Sequence, residues 1–98
     1  VEGGNRLVLH AKLKSRDELR RTPAGVPVLS FRVEHESEQV EAGIARRTAF
    51  ELDCVLVGRD AERMNAAPGA SLKLRGFLAA RSKLSRLLVF HVNEFESS

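Results

Sequence analysis

Apolar and polar residues alternate with a period of two along most of this chain, the signature of half-buried β-strands. "RLVLHAKLK" puts Leu7, Leu9, Ala11 and Leu13 on one face and Arg6, Val8, His10, Lys12 and Lys14 on the other. "VLSFRVEH" sets Leu29, Phe31, Val33 and His35 against Val28, Ser30, Arg32 and Glu34. "RRTAFELDCVLVG" places Phe50, Leu52, Cys54 and Leu56 inward, with Ala49, Glu51 and Asp53 outward. "SLKLRGFLAAR" alternates Leu72, Leu74, Gly76 and Leu78 with Lys73, Arg75 and Phe77. "RLLVFHVNEF" is apolar on both faces from Leu87 to Val92, which predicts a strand covered on both sides.

Only "GRDAERMNAAPG" departs from this period. Ala61, Met64 and Ala67 recur at helical spacing, Asp60 and Glu62 suit a helix start, and Pro68-Gly69 stops the helix. The order is therefore three strands, a short helix, and two strands. An all-β chain with one short helix between the third and fourth of five strands matches the OB-fold, a Greek-key barrel. Gly43 and Gly76 fit the bends a small barrel needs. A meandering antiparallel sandwich is the alternative.

The first two strands are separated by "TPAGVP". Pro23 fixes φ and Gly25 tolerates positive φ, so a tight turn forms there cheaply. Pro27 is suited to the first residue of a strand, where it sets the register.

The chain has 98 residues, 43% of them hydrophobic, which supports one domain with one small core. It is read as a single domain over 1–98. "VEGG" (residues 1–4) lacks an initiator Met, receives no assigned structure, and is expected to be disordered or a remnant of processing or cloning. A core this small is marginal, so a partner or second copy is an expected source of stability. Neither a membrane-length apolar run nor a signal segment is present, and the reading is of a soluble cytoplasmic protein. The single cysteine, Cys54, excludes an internal disulfide, and its alternation with Leu52 and Leu56 predicts a buried small hydrophobe.

Charge changes the picture more. The net charge is +3, but "EHESEQVE" (Glu34 to Glu41) holds four acids and neither Lys nor Arg. Setting those four aside leaves nine acids against 16 basic residues, and Arg63 to Asn93 contains no acid at all. Such one-signed stretches suit a polyanion, either nucleic acid or an anionic membrane. The acidic run has no calcium-loop pattern and is expected to be a flexible loop, either docking a basic partner or keeping DNA off that side. His10, His35 and His91 fall on three strands without ligand spacing, so packed or hydrogen-bonded rings are expected, with no metal and no cofactor. Nothing in the acids resembles a hydrolase metal motif, and the protein is read as not an enzyme.

"NRLVLHAKL", "TPAGVPVLSFRVEHES", "EAGIARR" and "GFLAARSKLSRLLVFHVNEF", in this order, resemble primosomal replication protein N, the PriB family, over Asn5 to Phe95. The resemblance implies an OB-fold homodimer related to single-stranded DNA-binding protein. It implies no catalytic activity, and a role in restart of stalled replication forks with the PriA helicase and DnaT. It also implies single-stranded DNA lying across basic and aromatic residues of the sheet and of the loop joining the last two strands. The candidate DNA-binding residues on that footing are Arg20, Arg46 and Arg47, with Arg81, Lys83 and Arg86 in the last loop. Two positions depart: Ala49 stands where a family member has a stacking tryptophan, and Glu36 where a basic residue occurs. Phe50 is assigned to the core and Phe77 to an outward face that is solvent, a subunit contact or a stacking site. With neither Trp nor Tyr in the chain, phosphate contacts are expected to dominate binding. A protein-docking module with incidental DNA affinity is the main competitor. A general single-stranded DNA-binding protein ranks lower, because that family's long acidic tail is not seen after "EFESS".

Overall fold

The chain is represented by a computed structural model that describes residues 3–98. It contains β1 (Leu7–Arg16), β2 (Arg20–Arg21), β3 (Pro27–Glu41), β4 (Ile44–Val57), α1 (Arg59–Arg63), β5 (Ser71–Ala80) and β6 (Leu88–Ser97). Five of these strands close into a barrel in the order β1-β5-β6-β4-β3, with β3 returning to β1, and β2 is a two-residue edge on β3. The OB-fold expectation therefore holds, as a closed ring of five strands.

Closure rests on β1, which pairs with β5 through Leu7–Lys12 and with β3 through Lys12–Arg16, its register shifting between Leu13 and Ser15. Its alternation delivers Leu9, Ala11 and Leu13 to an interior shared with Leu29, Phe31, Val33, Cys54, Leu56, Leu72, Leu74, Phe90 and Val92. The opposite seam is a short parallel pairing, Cys54 with Phe90 and Val55 with His91.

The helix closes one end with Ala61 and Met64, both buried as their spacing predicts. It stops sooner than expected, so Ala67 is exposed and not part of a helical face. The reason is a side chain from β1. Arg16 donates through Nη1 to the carbonyls of Met64 (2.9 Å) and Ala66 (3.1 Å), holding the chain where it leaves the helix with Met64 extended.

The acidic run is a strand and not a flexible loop. β3 continues through it to Glu41 and pairs with β4 in unbroken register from Val28–Val57 to Glu41–Ile44. Pairing with β1 ends at Glu34, so beyond that residue the hairpin leaves the barrel as a two-stranded arm. Its tip is a turn at Ala42 (φ 51°) and Gly43 (φ 78°), the two positive-φ positions of a type I′ turn. Gly43 is thus a turn residue and not a bend within a strand.

The arm also corrects Phe50. The residue lies on the inward face of β4, opposite His35, but one step past the barrel rim. Among the described residues no third strand pairs alongside it, and it is 40% exposed with its ring against His35. Likewise the Leu87–Val92 stretch is not buried on both faces. Leu87 precedes β6 and is 64% exposed, Leu88 opens the strand at 51%, and Val89 and His91 are only half-buried beside the buried Phe90 and Val92.

"TPAGVP" forms the expected turn. Gly25 (φ 84°) donates to the Thr22 carbonyl at 2.8 Å, and Pro27 begins β3 opposite Arg21. Gly76 sits at the β5–β6 register shift, where an added Cβ would lie 1.9 Å from the His91 carbonyl oxygen. A backbone atom cannot move aside as a side-chain end can. Gly76→Ala is therefore expected to cost about 2–4 kcal/mol in a denaturant titration. A variant as stable as the parent would show that β5 and β6 do not approach this closely.

Candidate nucleic-acid interface

In barrels of this type, oligonucleotides follow the outer face of the second and third barrel strands and the two loops that flank it. Here those strands are β3 and β4, and the loops are residues 17–26, which contain β2, and residues 81–87. A groove of about 540 Å³ lies there, lined by Asp17, Arg20, Ser30, Arg32, Asp53, Val55, Arg81, Val89 and His91 among others.

Each cation arrives by a different route. Arg20 is carried by β2, which the Thr22–Gly25 turn holds against β3, and the loop is tied to the strand by Asp17 N–H donating to the Ser30 carbonyl (2.9 Å). Arg32 is an outward position of β3. Arg81 is the first residue after β5, and its amide donates to the Leu87 carbonyl (2.8 Å), pinching the loop at its base.

Two of these three guanidiniums, those of Arg32 and Arg81, do not stand free. Arg32 Nε lies 2.8 Å from Asp53 Oδ1, and Arg81 Nη2 lies 2.9 Å from Asp53 Oδ2. Arg32 also approaches Glu51 at 3.7 Å, and Lys14 pairs with Glu51. A ladder of alternating charge thus crosses from the loop through β4 and β3 to β1. The Lys14 hydrogen bond holds the Glu51 carboxyl below its ordinary range, opposed by partial desolvation. The Asp53 hydrogen bond raises the Arg32 guanidinium further above its usual value.

Of the six residues expected from sequence, Arg20 and Arg81 line this groove. Lys83 and Arg86 stand exposed on the adjoining loop, without an ion pair among the described residues. Arg46 and Arg47 lie apart from it on the arm, where Arg46 meets Glu41 at 2.9 Å and Arg47 pairs with Glu36. Arg32 is the residue sequence reasoning did not single out. Its outward position in "VLSFRVEH" was visible, but not that this face lies between the two loops.

Aromatic surface is scarce. The Phe77 ring stacks on His91 with centroids 5.0 Å apart and planes 8° apart, and Phe77 is 37% exposed. His35 is held by two hydrogen bonds, from its Nδ1–H to the His10 carbonyl (2.6 Å) and between Nε2 and the Ser37 hydroxyl (2.8 Å).

A model described as another single-strand binding protein family matches residues 5–94. Replication restart protein PriB of Nitrosomonas europaea is 33% identical over 91 residues, covering 92% of this chain and 84% of the relative. PriB of Neisseria meningitidis serogroup B is 34% identical over 95 residues, covering 96% and 95%. The chain belongs to the PriB family. The PriB structure from Ralstonia solanacearum superposes with a TM-score of 0.88 at 36% identity, covering 97% of this chain and 98% of that one. The single-stranded DNA-binding protein of Thermus aquaticus shares the fold, with a TM-score of 0.79 at 21% identity, and this chain spans 52% of its length.

In this member of the PriB family the groove floor includes Cys54, which is buried as its alternation predicts. Burial, with the Asp53 charge adding to it, pushes its thiol from 9.0 up to about 12. Because the folded value is the higher one, stability is intact below pH 9 and falls as pH rises from there toward 12. A thiol reagent at pH 8 is expected to leave the native protein unlabelled and to react only after denaturation. Rapid labelling of the folded chain would contradict this burial.

Proposed function

We propose that this chain binds single-stranded DNA along the groove between the 17–26 and 81–87 loops, as a non-catalytic accessory protein in replication restart. The observation that carries this reading is the convergence of Arg20, Arg32 and Arg81 on the outer face of β3 and β4, beside the unpaired Lys83 and Arg86. Guanidinium and ammonium groups bind phosphates by charge, and guanidinium adds a two-pronged geometry. Membership of the PriB family, and the match to a single-strand binding family, support the ligand and the process.

The finer parts of the reading come from the family resemblance. They are a homodimer, the PriA helicase and DnaT as partners, and a cytoplasmic location. Exposed Leu87 and Leu88 offer apolar surface compatible with a partner or second copy. No helix among the described residues is long and apolar enough to cross a membrane.

A second reading, a docking module with incidental DNA affinity, is favoured by the arm. Arg46 and Arg47 spend their charge on Glu41 and Glu36, which leaves Glu38 as the arm's surplus charge and an extended surface with Val40 and Ile44 exposed near its tip.

Fluorescence anisotropy with a labelled oligothymidylate across a salt series separates the two. Contacts from Arg81, Lys83 and Arg86 alone contribute about −2 to the log–log salt slope, at about −0.7 each. Arg81→Ala with Lys83→Ala is expected to weaken binding about tenfold at low salt and to make the slope shallower by about 1.4. Absence of binding at low salt would remove the DNA reading and leave the docking module.

A further inference from the structure

Asp53 is an acidic residue at the centre of a surface read as binding a polyanion. Its side chain is 30% exposed, and each carboxylate oxygen takes a guanidinium from a different element: Oδ1 from Arg32 of β3, Oδ2 from Arg81 of the 81–87 loop. Carboxylate and phosphate present the same paired-oxygen geometry to arginine. Asp53 thus occupies, from within the chain, the positions a phosphate would take.

We infer that Asp53 is a built-in competitor for phosphate that straps the 81–87 loop to the sheet and is displaced when the strand binds. This rests on the single-stranded DNA reading for its ligand, but the strap stands on the free protein alone. Arg81 has no other acidic partner among the described residues, whereas Arg32 keeps Glu51 at 3.7 Å. Loss of Asp53 therefore frees Arg81 fully and Arg32 only in part.

The loop around Arg81 has the shape such a switch needs. Its base is joined by the Arg81–Leu87 backbone bond and its interior by Ser85 N–H to the Ser82 carbonyl (3.2 Å), while Leu84 at its tip is 98% exposed. The only side-chain tie from the loop to the sheet among the described residues is Arg81 to Asp53. Lys83 and Arg86, unpaired, meet the phosphates first, and Arg81 changes partner afterwards. Each binding event trades one arginine–carboxylate contact for one arginine–phosphate contact and leaves the carboxylate facing the strand.

The test compares the full chain with Asp53→Asn and Arg81→Gln. Anisotropy with labelled oligothymidylate is measured over a salt series, and amide hydrogen exchange is followed at Arg81 and along the loop. Asp53→Asn is expected to tighten binding about five- to tenfold at low salt and to leave the slope near the parent's, since Arg81 reaches phosphate in both. Exchange in the loop should rise in both variants, while Arg81→Gln, which breaks the strap without freeing a cation, does not bind more tightly. Thermal melts confirm that both variants fold. If the parent binds and Asp53→Asn binds equally or more weakly at every salt concentration, Asp53 is a positioning group and the competition is overturned. If exchange in the loop is unchanged in both variants, the strap is overturned. If neither the parent nor Asp53→Asn binds, the DNA reading fails and the competition fails with it, while exchange still decides the strap.

Discussion

One ten-residue strand has to serve two neighbours, and the rest of the molecule follows from how it does so. β1 gives Leu7–Lys12 to β5 and Lys12–Arg16 to β3, so Lys12 stands opposite both Ser71 and Glu34. The register shift between Leu13 and Ser15 lets the strand change direction without losing its inward residues. Leu13, 1% exposed, sits at that change, and a buried side chain of its type contributes about 1.5–3 kcal/mol. Because β1 is short and β3 is not, β3 and β4 overrun the barrel and form the arm. Because β1 ends at Arg16, the chain runs on along the same edge of β3, through the Asp17–Ser30 backbone bond to β2, which places Arg20 beside the groove.

The second seam of the barrel is much thinner. Cys54 with Phe90 and Val55 with His91 are the pairs that join β4 to β6. Cys54, Val55 and His91 also line the groove, so the candidate interface lies over this seam. The interior beneath it is anchored by Phe90, which is fully buried, and by Gly76, whose missing Cβ lets the β6 backbone approach. Rigidity under the groove therefore comes from packing and close backbone contact more than from ladder hydrogen bonds.

What was legible in the sequence was whatever a buried face had written into it. Leu9, Ala11 and Leu13, or Leu72 and Leu74, alternate because one side of their strand is covered, and the barrel order follows from counting such segments. The arm carries no such mark. Residues 36–41 pair with 44–49 beyond the buried core, so charged and polar residues outnumber the apolar Val40 and Ile44, no alternation marks a face, and the acidic run reads as a loop. Phe50 obeys the pleat and still ends up exposed, because alternation gives the face of a residue but not where the covering strand stops. The interface was legible as basic residues and not as an arrangement. No spacing rule brings Arg81 to Asp53, 28 positions away, or reveals that Arg46 and Arg47 are already matched by acids on the facing strand.

The pairing of cations within the chain and the shortage of aromatic surface act in the same direction. Base stacking on an aromatic ring is worth about 1–3 kcal/mol per base. Phe50 and Phe77, both partly exposed, each present one ring face to a histidine, so only the other face can receive a base. Exposed arginine–carboxylate pairs are worth about 0–1 kcal/mol, so exchanging one for a phosphate contact gains little by itself. On the proposed reading, the favourable term left is the release of counterions from the strand, which strengthens with each cation that has no acid of its own. The net charge of +3 is then a poor guide to affinity. The better guide is which cations lack an internal partner, and on the 81–87 loop these are Lys83 and Arg86, with Arg81 joining them only when Asp53 lets go.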